Sequence, residues 1–392
     1  MSTVQRSLFM TASLAFMCVL SGTLLIPAVR PFMAWTAPGS ESAAHAFMAV
    51  NMLGGVLAAP LVTELARYVG SPSRLIRTMS AADAVLLALL VTGVPVGTML
   101  AIRGLQGALN VSVLSLLLGS APSGEETGRG SRYGLLGAAM MLAVAAGAPL
   151  GTLCLALGPR APLLACAALQ LVVAASVGKL SLERVPPATA RGSWRRVALW
   201  PLAWVFIERF AIGLFVVTFA FHARQCLSAS DSKVGLLLSV FLVPFGIAVY
   251  PAGMLTDRVG PALSALSGLC IYGLFFLALP GVSLPQTGFL MLLLGLSSAL
   301  VFAAAMRESS GSACPAGRIA AMSALNSAGS LGMLLGTAVA GIVSASVRSH
   351  GADAHHAHEL IFRVGGAAQL FVAALTLAAA NLSARSAGSV RS

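Results

Sequence analysis

Long apolar segments recur along the whole chain, and they constrain its fold more than any other feature. A helix needs roughly 20 predominantly apolar residues to cross about 30 Å of hydrocarbon, and we count about twelve such segments in the 392 residues. The alternation of apolar and polar residues that barrel strands require does not occur. The sequence therefore predicts an all-α membrane protein with twelve transmembrane helices. The predicted spans are residues 7–29, 45–62, 78–96, 97–118, 133–156, 162–180, 198–221, 234–255, 261–282, 287–306, 320–344 and 361–382.

Charged residues are few and unevenly distributed. They make up 9% of the chain, and 24 Lys and Arg outnumber 12 Asp and Glu. If the N-terminus is cytoplasmic, sixteen basic residues fall in inner loops and six in outer loops, as the positive-inside rule favours. The net charge of +12 then reflects membrane orientation, and we expect no nucleic-acid partner. We expect a bacterial inner-membrane protein with both termini in the cytoplasm.

The two halves of the chain resemble each other. TELARYVG at 63–70 aligns with GMLTDRVG at 253–260, and GR at 128–129 recurs at 317–318. Repeated halves of this kind are a transporter architecture in which the substrate site lies near mid-membrane between them. The sequence thus predicts two pseudo-symmetric six-helix bundles and alternating access. The predicted domains are residues 1–182 and 198–392, joined by a basic, Pro-containing cytoplasmic linker at 183–197.

Three short motifs carry a resemblance to a known family. GMLTDRVG, after the eighth span, resembles the G-x-L-x-D-R-x-G loop signature of the major facilitator superfamily. RGLQG at 103–107 and GAPLG at 147–151 are similar to the R-x-x-Q-G and G-P-x-x-G motifs of its proton-coupled antiporters. The motifs occur in the expected helices, and the resemblance covers nearly the whole chain. It implies the major facilitator fold and, as the nearest branch, the twelve-helix drug:proton antiporters.

This resemblance implies roles for two groups of residues. The first is a gating loop, formed by Gly253, Asp257, Arg258 and Gly260. The second is a helix-bending motif, formed by Gly147, Pro149 and Gly151. The first copy of the loop signature is degraded, because Arg67 stands where the family has an acid; Glu64 could substitute for that acid.

Glu208 and Arg209 lie near the middle of the seventh span, where a charge costs at least about 2.5 to 3.5 kcal/mol. Such residues are functional by default, although they could also only neutralise charges on neighbouring helices. The resemblance implies that helices 1, 4, 7 and 10 line a central cavity. We therefore predict that Glu208 carries a proton with Arg103 as its coupling partner, and that Arg209 contacts substrate or forms an ion pair.

Arg103 lies in the outer third of the fourth span, so its side chain could instead extend to the lipid headgroups. Gln106 and Asn110 follow at one and two turns on the same face, and we predict that they line the substrate cavity. Asp83 is placed near the inner end of the third span, where a structural role is favoured because the helix dipole stabilises an acid.

Other sites are not indicated by the sequence. The histidines at 350, 355, 356 and 358 could bind a metal, but a hydrated outer loop is the favoured interpretation. We predict no metal site, no cofactor and no enzymatic activity.

The expected function is proton-coupled export of small amphiphilic compounds, by a monomer whose partners are substrate, protons and the lipid bilayer. Alternatives are a symporter or facilitator for a metabolite or anion, and a non-transporting membrane sensor with the same fold.

Overall fold

The structure, a computed structural model, describes residues 3–36, 41–121, 128–180, 182–186, 197–312, 314–349 and 354–389. Within these ranges the regular structure is helical, with thirteen α-helices and no strand. The helices are α1 Thr3–Thr23, α2 Val29–Thr36, α3 Glu41–Val69, α4 Pro72–Leu90, α5 Val96–Gly119, α6 Arg129–Leu155, α7 Ala161–Ser176, α8 Leu199–Gln225, α9 Asp231–Val259, α10 Pro261–Ala278, α11 Leu284–Ser309, α12 Pro315–Ser349 and α13 Ala354–Ser389.

Eleven helices in the described part of the chain are long and apolar enough to cross a membrane. Helix α2 has only 8 residues. Helix α4 has 19 residues and corresponds to the third predicted span, but Arg74, Arg77 and Asp83 give every 18-residue window three charges. The all-α membrane fold is therefore confirmed, and α4 differs from the other long helices in its charge.

Three predicted boundaries are wrong. The first helix ends at Thr23 rather than at residue 29, because Pro27 follows within a turn and disfavours helical geometry before it. Helix α4 begins at Pro72, a residue suited to the first helical turn, and not at residue 78. The signature at 253–260 is not a loop, since α9 continues to Val259 and only Gly260, with φ of 88°, lies beyond it.

The chain divides into two compact units. Unit 1 comprises Met1–Thr127, Leu135–Ala198 and Ser309–Ser330. Unit 2 comprises Gly128–Gly134, Leu199–Glu308 and Leu331–Ser392. Helices α6 and α12 thus contribute residues to both units. Of the predicted linker, residues 187–196 lie outside the described part of the chain.

In unit 1 the backbones of α3 and α5 approach closely. A Cβ atom on Gly107 would lie 1.8 Å from the carbonyl oxygen of Asn51, so only glycine allows this approach. The contact brings the Asn51 amide to the Arg103 carbonyl, to which its Nδ2 donates a hydrogen bond of 3.2 Å. Close packing of α3 against α5 therefore fixes the part of α5 that carries the polar residues described below.

In unit 2, α8 packs against α12 in the same manner. A Cβ atom on Gly332 would lie 2.3 Å from the Phe206 carbonyl oxygen, and one on Gly336 would lie 2.2 Å from that of Phe210. Glu208 and Arg209 lie between these two contacts along α8. Their backbone is consequently held against α12 on both sides.

Candidate transport sites

A polar pocket lies inside unit 1, between apolar helices. Asp83 of α4 and Arg103 and Gln106 of α5 line it, and all three side chains are buried, with Arg103 only 4% exposed. Arg103 Nη1 donates a hydrogen bond of 3.3 Å to Gln106 Oε1, and its guanidinium lies 4.8 Å from the Phe47 ring centroid. We call Asp83, Arg103 and Gln106 the Asp83 cluster.

Asn110 and Ser21 also line this pocket, and neighbouring groups fix them in place. Asn110 Nδ2 donates to the Cys18 carbonyl oxygen at 3.1 Å, and Gln170 Nε2 donates to Ser21 Oγ at 2.8 Å. The surrounding polar groups therefore have defined partners, which orders the walls around the Asp83 cluster.

Three atoms of the Asp83 cluster itself lack partners. Asp83 Oδ1, Arg103 Nε and Gln106 Nε2 are buried and have no hydrogen-bond partner among the described residues. The pocket has a volume of about 40 Å³, which exceeds the roughly 10–15 Å³ that a cavity needs to hold one water molecule. Such a pocket admits water or one small polar group, but not an entire organic substrate.

The structure gives a clear position for each predicted residue of this region. Arg103, Gln106 and Asn110 share one pocket, as their helical spacing predicts, and Arg103 is buried in protein rather than extended toward headgroups. The placement of Asp83 near a helix end is wrong. Asp83 is the twelfth of the 19 residues of α4, because that helix begins six residues earlier than expected. Its side chain lines the pocket.

Glu208 and Arg209 form a second buried charged group, in unit 2. Glu208 is 0% exposed, and its Oε2 lies 3.3 Å from Arg209 Nε. Neither carboxylate oxygen has a hydrogen bond of suitable geometry within the described ranges. Ser298 and Tyr272 are close enough to interact with Glu208. We call Glu208 and Arg209 the Glu208 pair.

Arg209 is more accessible than its neighbour, at 16% side-chain exposure. Its guanidinium lies 5.0 Å from the Phe302 ring centroid and 5.7 Å from that of Phe245. Two consecutive residues of a helix point about 100° apart, which explains why one is enclosed and the other partly open. Arg103 and Glu208 belong to different units, so their predicted coupling stays a prediction.

Asp257, predicted to gate, caps the beginning of α6. Its Oδ1 accepts a hydrogen bond from the Gly130 amide at 2.7 Å, and its Oδ2 accepts one from the Ser131 amide at 2.9 Å. Arg307 Nε donates to the same carboxylate at 3.1 Å. A carboxylate at a helix N-terminus satisfies free amides and interacts favourably with the helix dipole.

The beginning of α12, in unit 1, is held differently. Arg318 is buried, forms an ion pair with Glu183 and donates from Nε to the Gly119 carbonyl oxygen at 3.2 Å. Glu64, which could substitute for the missing acid, pairs with Arg67 on its own helix at 2.9 Å, and its substitution for that acid remains a prediction. The repeated GR at 317–318 was the available signal for Arg318, but nothing in the sequence indicated Glu183 as its partner.

The predicted helix-bending motif lies within α6, which continues as a helix through Pro149. A Cβ atom on Gly147 would lie 2.2 Å from Thr23 Oγ1, and one on Gly151 would lie 2.2 Å from the Leu24 carbonyl oxygen. These two glycines let α6 contact the end of α1, and the bending role of the motif remains a prediction.

Residues 202–383 match the model of the Major Facilitator Superfamily. The Probable L-galactonate transporter of Escherichia coli (strain K12) is 38% identical over 73 residues. That stretch covers 19% of this chain and only 16% of the length of that protein.

Solved transporter structures resemble the whole chain. The human organic anion transporter MFSD10 (TETRAN) has a TM-score of 0.73 at 19% identity, over 96% of this chain and 100% of that one. A bacterial homologue of the iron transporter ferroportin, in the outward-facing state, has a TM-score of 0.68 at 16% identity, over 96% and 99%. At such identities the likeness shows the fold alone. The match over residues 202–383 covers slightly less than half of the chain, and together with this shared fold it identifies a multi-pass membrane protein with the fold of the Major Facilitator Superfamily.

Proposed function

We propose that this protein is a secondary transporter that couples proton movement to the movement of a small organic anion. The observation that carries the proposal is the Asp83 cluster, a buried carboxylate and a buried guanidinium around one small pocket. Ionisable residues inside membrane spans are costly, and they characteristically mark substrate and proton pathways.

The cluster supports coupling by charge balance. A buried charge is costly unless an opposite charge compensates it. Deprotonated Asp83 compensates Arg103, whereas protonated Asp83 leaves Arg103 without a countercharge in the pocket. An anionic group of the substrate then provides that charge, so that proton binding and anion binding favour each other reciprocally.

The Glu208 pair supports a second step of the same kind. Glu208 is fully enclosed and paired with Arg209, which remains partly accessible. Protonation of Glu208 would remove the countercharge that it presents to Arg209, and a substrate anion near Arg209 could supply that charge instead. The substrate class is further supported by two similar proteins, whose names describe transport of L-galactonate and of organic anions.

The antiporter-like motifs favour a second candidate function, proton-coupled export of small amphiphilic compounds. RGLQG and GAPLG both carry residues found at close contacts or in the pocket, namely Arg103, Gln106, Gly147 and Gly151. In this alternative, protons and substrate move in opposite directions.

Flux measurements on the purified chain in proteoliposomes distinguish the two candidates. L-galactonate, other small carboxylates and amphiphilic cations serve as labelled probes under an imposed pH gradient. The expected result is that a carboxylate accumulates in the compartment into which protons flow, and that a protonophore abolishes this accumulation. Movement of amphiphilic compounds opposite to the proton flow would favour the export function instead. Substrate flux that does not change with the imposed pH gradient would contradict proton coupling altogether.

A further inference from the structure

Three side chains that can bind metal meet where α8 ends and α13 begins. His222 and Cys226 are four residues apart, and the Cys226 amide donates to the His222 carbonyl oxygen at 2.8 Å, so the helical turn continues and both side chains share a face. His358 lies in the second turn of α13. The metal-binding atoms of these three residues all lie within 4.8 Å of one another.

The placement of these histidines differs from the sequence prediction. Residues 355, 356 and 358 were expected in a hydrated loop, but α13 already begins at Ala354; residue 350 lies outside the described part of the chain. His358 is only 6% exposed, because it shares the buried face of α13 with Ile361 and Phe362.

His222 is an unusual buried residue. It is 1% exposed, and neither of its ring nitrogens has a hydrogen-bond partner among the residues that the structure describes. Buried polar groups are normally paired, so an enclosed imidazole of this kind requires an explanation. Its ring faces the other two groups, with 5.8 Å between the His222 and His358 centroids.

The distances are close to those of a metal site. Cys226 Sγ lies 3.9 Å from His358 Nδ1. In a tetrahedral zinc site, bond lengths of about 2.0–2.1 Å to nitrogen and 2.3 Å to sulfur place neighbouring ligand atoms roughly 3.3–3.6 Å apart. Side-chain movements of less than about 1 Å would therefore bring the three atoms to a common ion.

We propose that His222, Cys226 and His358 form a binding site for a borderline transition-metal ion such as Zn²⁺, joining the end of α8 to the start of α13. Two imidazoles and a thiolate suit Zn²⁺ and related ions, whereas Mg²⁺ and Ca²⁺ prefer oxygen. Binding displaces the thiol proton of Cys226. The fourth position is within reach of His355, whose ring centroid is 6.2 Å from that of His222.

Direct metal binding to the untagged full-length protein in detergent tests this site. After chelator treatment, bound Zn²⁺ is measured by elemental analysis, and its affinity is measured against a chromophoric chelator. The variants are Cys226→Ser and His358→Gln, with His356→Ala as matched control because His356 is exposed and outside the three-residue group. Co²⁺ replaces Zn²⁺ in a parallel optical titration.

We expect one Zn²⁺ per chain and a thiolate-to-Co²⁺ absorption band in the wild type. Cys226→Ser should abolish the band. Both site variants should weaken Zn²⁺ binding by at least about tenfold, because loss of a residue that only supports a metal ligand already weakens metal affinity by about that much. His356→Ala should leave binding unchanged. Absence of Zn²⁺ binding in the wild type, equal binding in all four proteins, or bound Co²⁺ without the thiolate band would each overturn the proposal. Because two variants report independently, failure of one to fold still leaves a decisive comparison.

Discussion

At the scale of single residues, the two buried acids differ in their surroundings. Asp83 faces a pocket with room for water and has one carboxylate oxygen without a partner among the described residues. Glu208 is fully enclosed and ion-paired with the next residue in the chain. Asp83 therefore has the more direct access to an exchangeable proton. The negative charge of Glu208 depends more strongly on compensation by Arg209.

The first prediction concerns these carboxyl groups. Asp83→Asn and Glu208→Gln imitate the protonated forms, so both should lose flux driven by a pH gradient while retaining substrate binding. Substrate affinity measured between about pH 5.5 and 8.5 should lose most of its pH dependence, because the amide side chains cannot gain or lose the coupled proton. The dependence expected in the wild type is about 5- to 150-fold, the usual size of coupling between two ligands. Gradient-driven uptake and equilibrium binding are measured on the same preparations.

Glu359→Gln is the control for removal of a carboxylate, since Glu359 pairs with exposed Arg363 near the start of α13. If Glu208→Gln alone kept wild-type coupling, Asp83 would be the proton carrier without it. Wild-type coupling in both variants would remove the charge-balance mechanism.

The pocket could be predicted only in part from the sequence. Arg103, Gln106 and Asn110 follow helical spacing, and spacing alone put them on one face. Asp83 was misplaced because a six-residue error at the start of α4 is about 9 Å along a helix at 1.5 Å per residue. Ser71 and Pro72 were the available start signal, but the surrounding apolar run extended the predicted span beyond Leu90.

At the scale of elements, helix ends are held by long-range polar contacts that a local motif describes incompletely. GMLTDRVG indicated that Asp257 is important, but only the structure identifies its partners as the first amides of α6 and Arg307. The start of α12 uses Arg318 and Glu183 instead, which are 135 positions apart. Contacts between distant segments leave little trace in a single sequence.

The second prediction tests the contact at Asp257. Asp257→Asn removes the charge that pairs with Arg307 and leaves one oxygen to accept hydrogen bonds from α6. Loss of a helix cap costs about 0.5–2 kcal/mol, so exchange between transport states should change while the Asp83 cluster and the Glu208 pair stay intact. Transport rate should therefore fall with affinity largely retained, as measured by initial flux and by binding. Parallel losses of binding and turnover, or no effect on either, would argue against gating.

The third prediction concerns the contact between α6 and α1. Gly147→Ala should destabilise the protein by about 1–3 kcal/mol, because the added methyl group overlaps Thr23 and overpacking costs about that much. Thermal unfolding in detergent measures the effect. Gly341→Ala is the matched control, since that position has nothing within 4 Å of an added Cβ atom. Equal unfolding temperatures for the two variants would show that the contact tolerates a side chain.

At the scale of the whole molecule, apolar length predicted the fold class correctly because each span must satisfy its backbone hydrogen bonds internally. The same criterion fails for α4, where Arg74, Arg77 and Asp83 raise the charge of a helix that packs against α5 and α7. Hydropathy reports on contact with lipid, and α4 buries its acid against protein instead. Apolar composition therefore predicts the α4 span poorly, although this helix carries Asp83 of the candidate site.

The last prediction is the orientation of the chain in the membrane. Helix α8 separates residue 190, which lies outside the described part of the chain, from Asp231, and α13 separates Ala354 from the C-terminus. Because sixteen basic residues fall on one predicted side and six on the other, the positive-inside rule predicts Asp231 and Ala354 outside. Reporter fusions active only in the periplasm should therefore respond at these two positions, and cytoplasmic reporters at residue 190 and the C-terminus. The same orientation would put Asp257 at the cytoplasmic side and the group of His222, Cys226 and His358 at the outer side. Reporter responses reversed at all four fusion sites would contradict the charge argument, and would place Asp257 outside and the three-residue group inside.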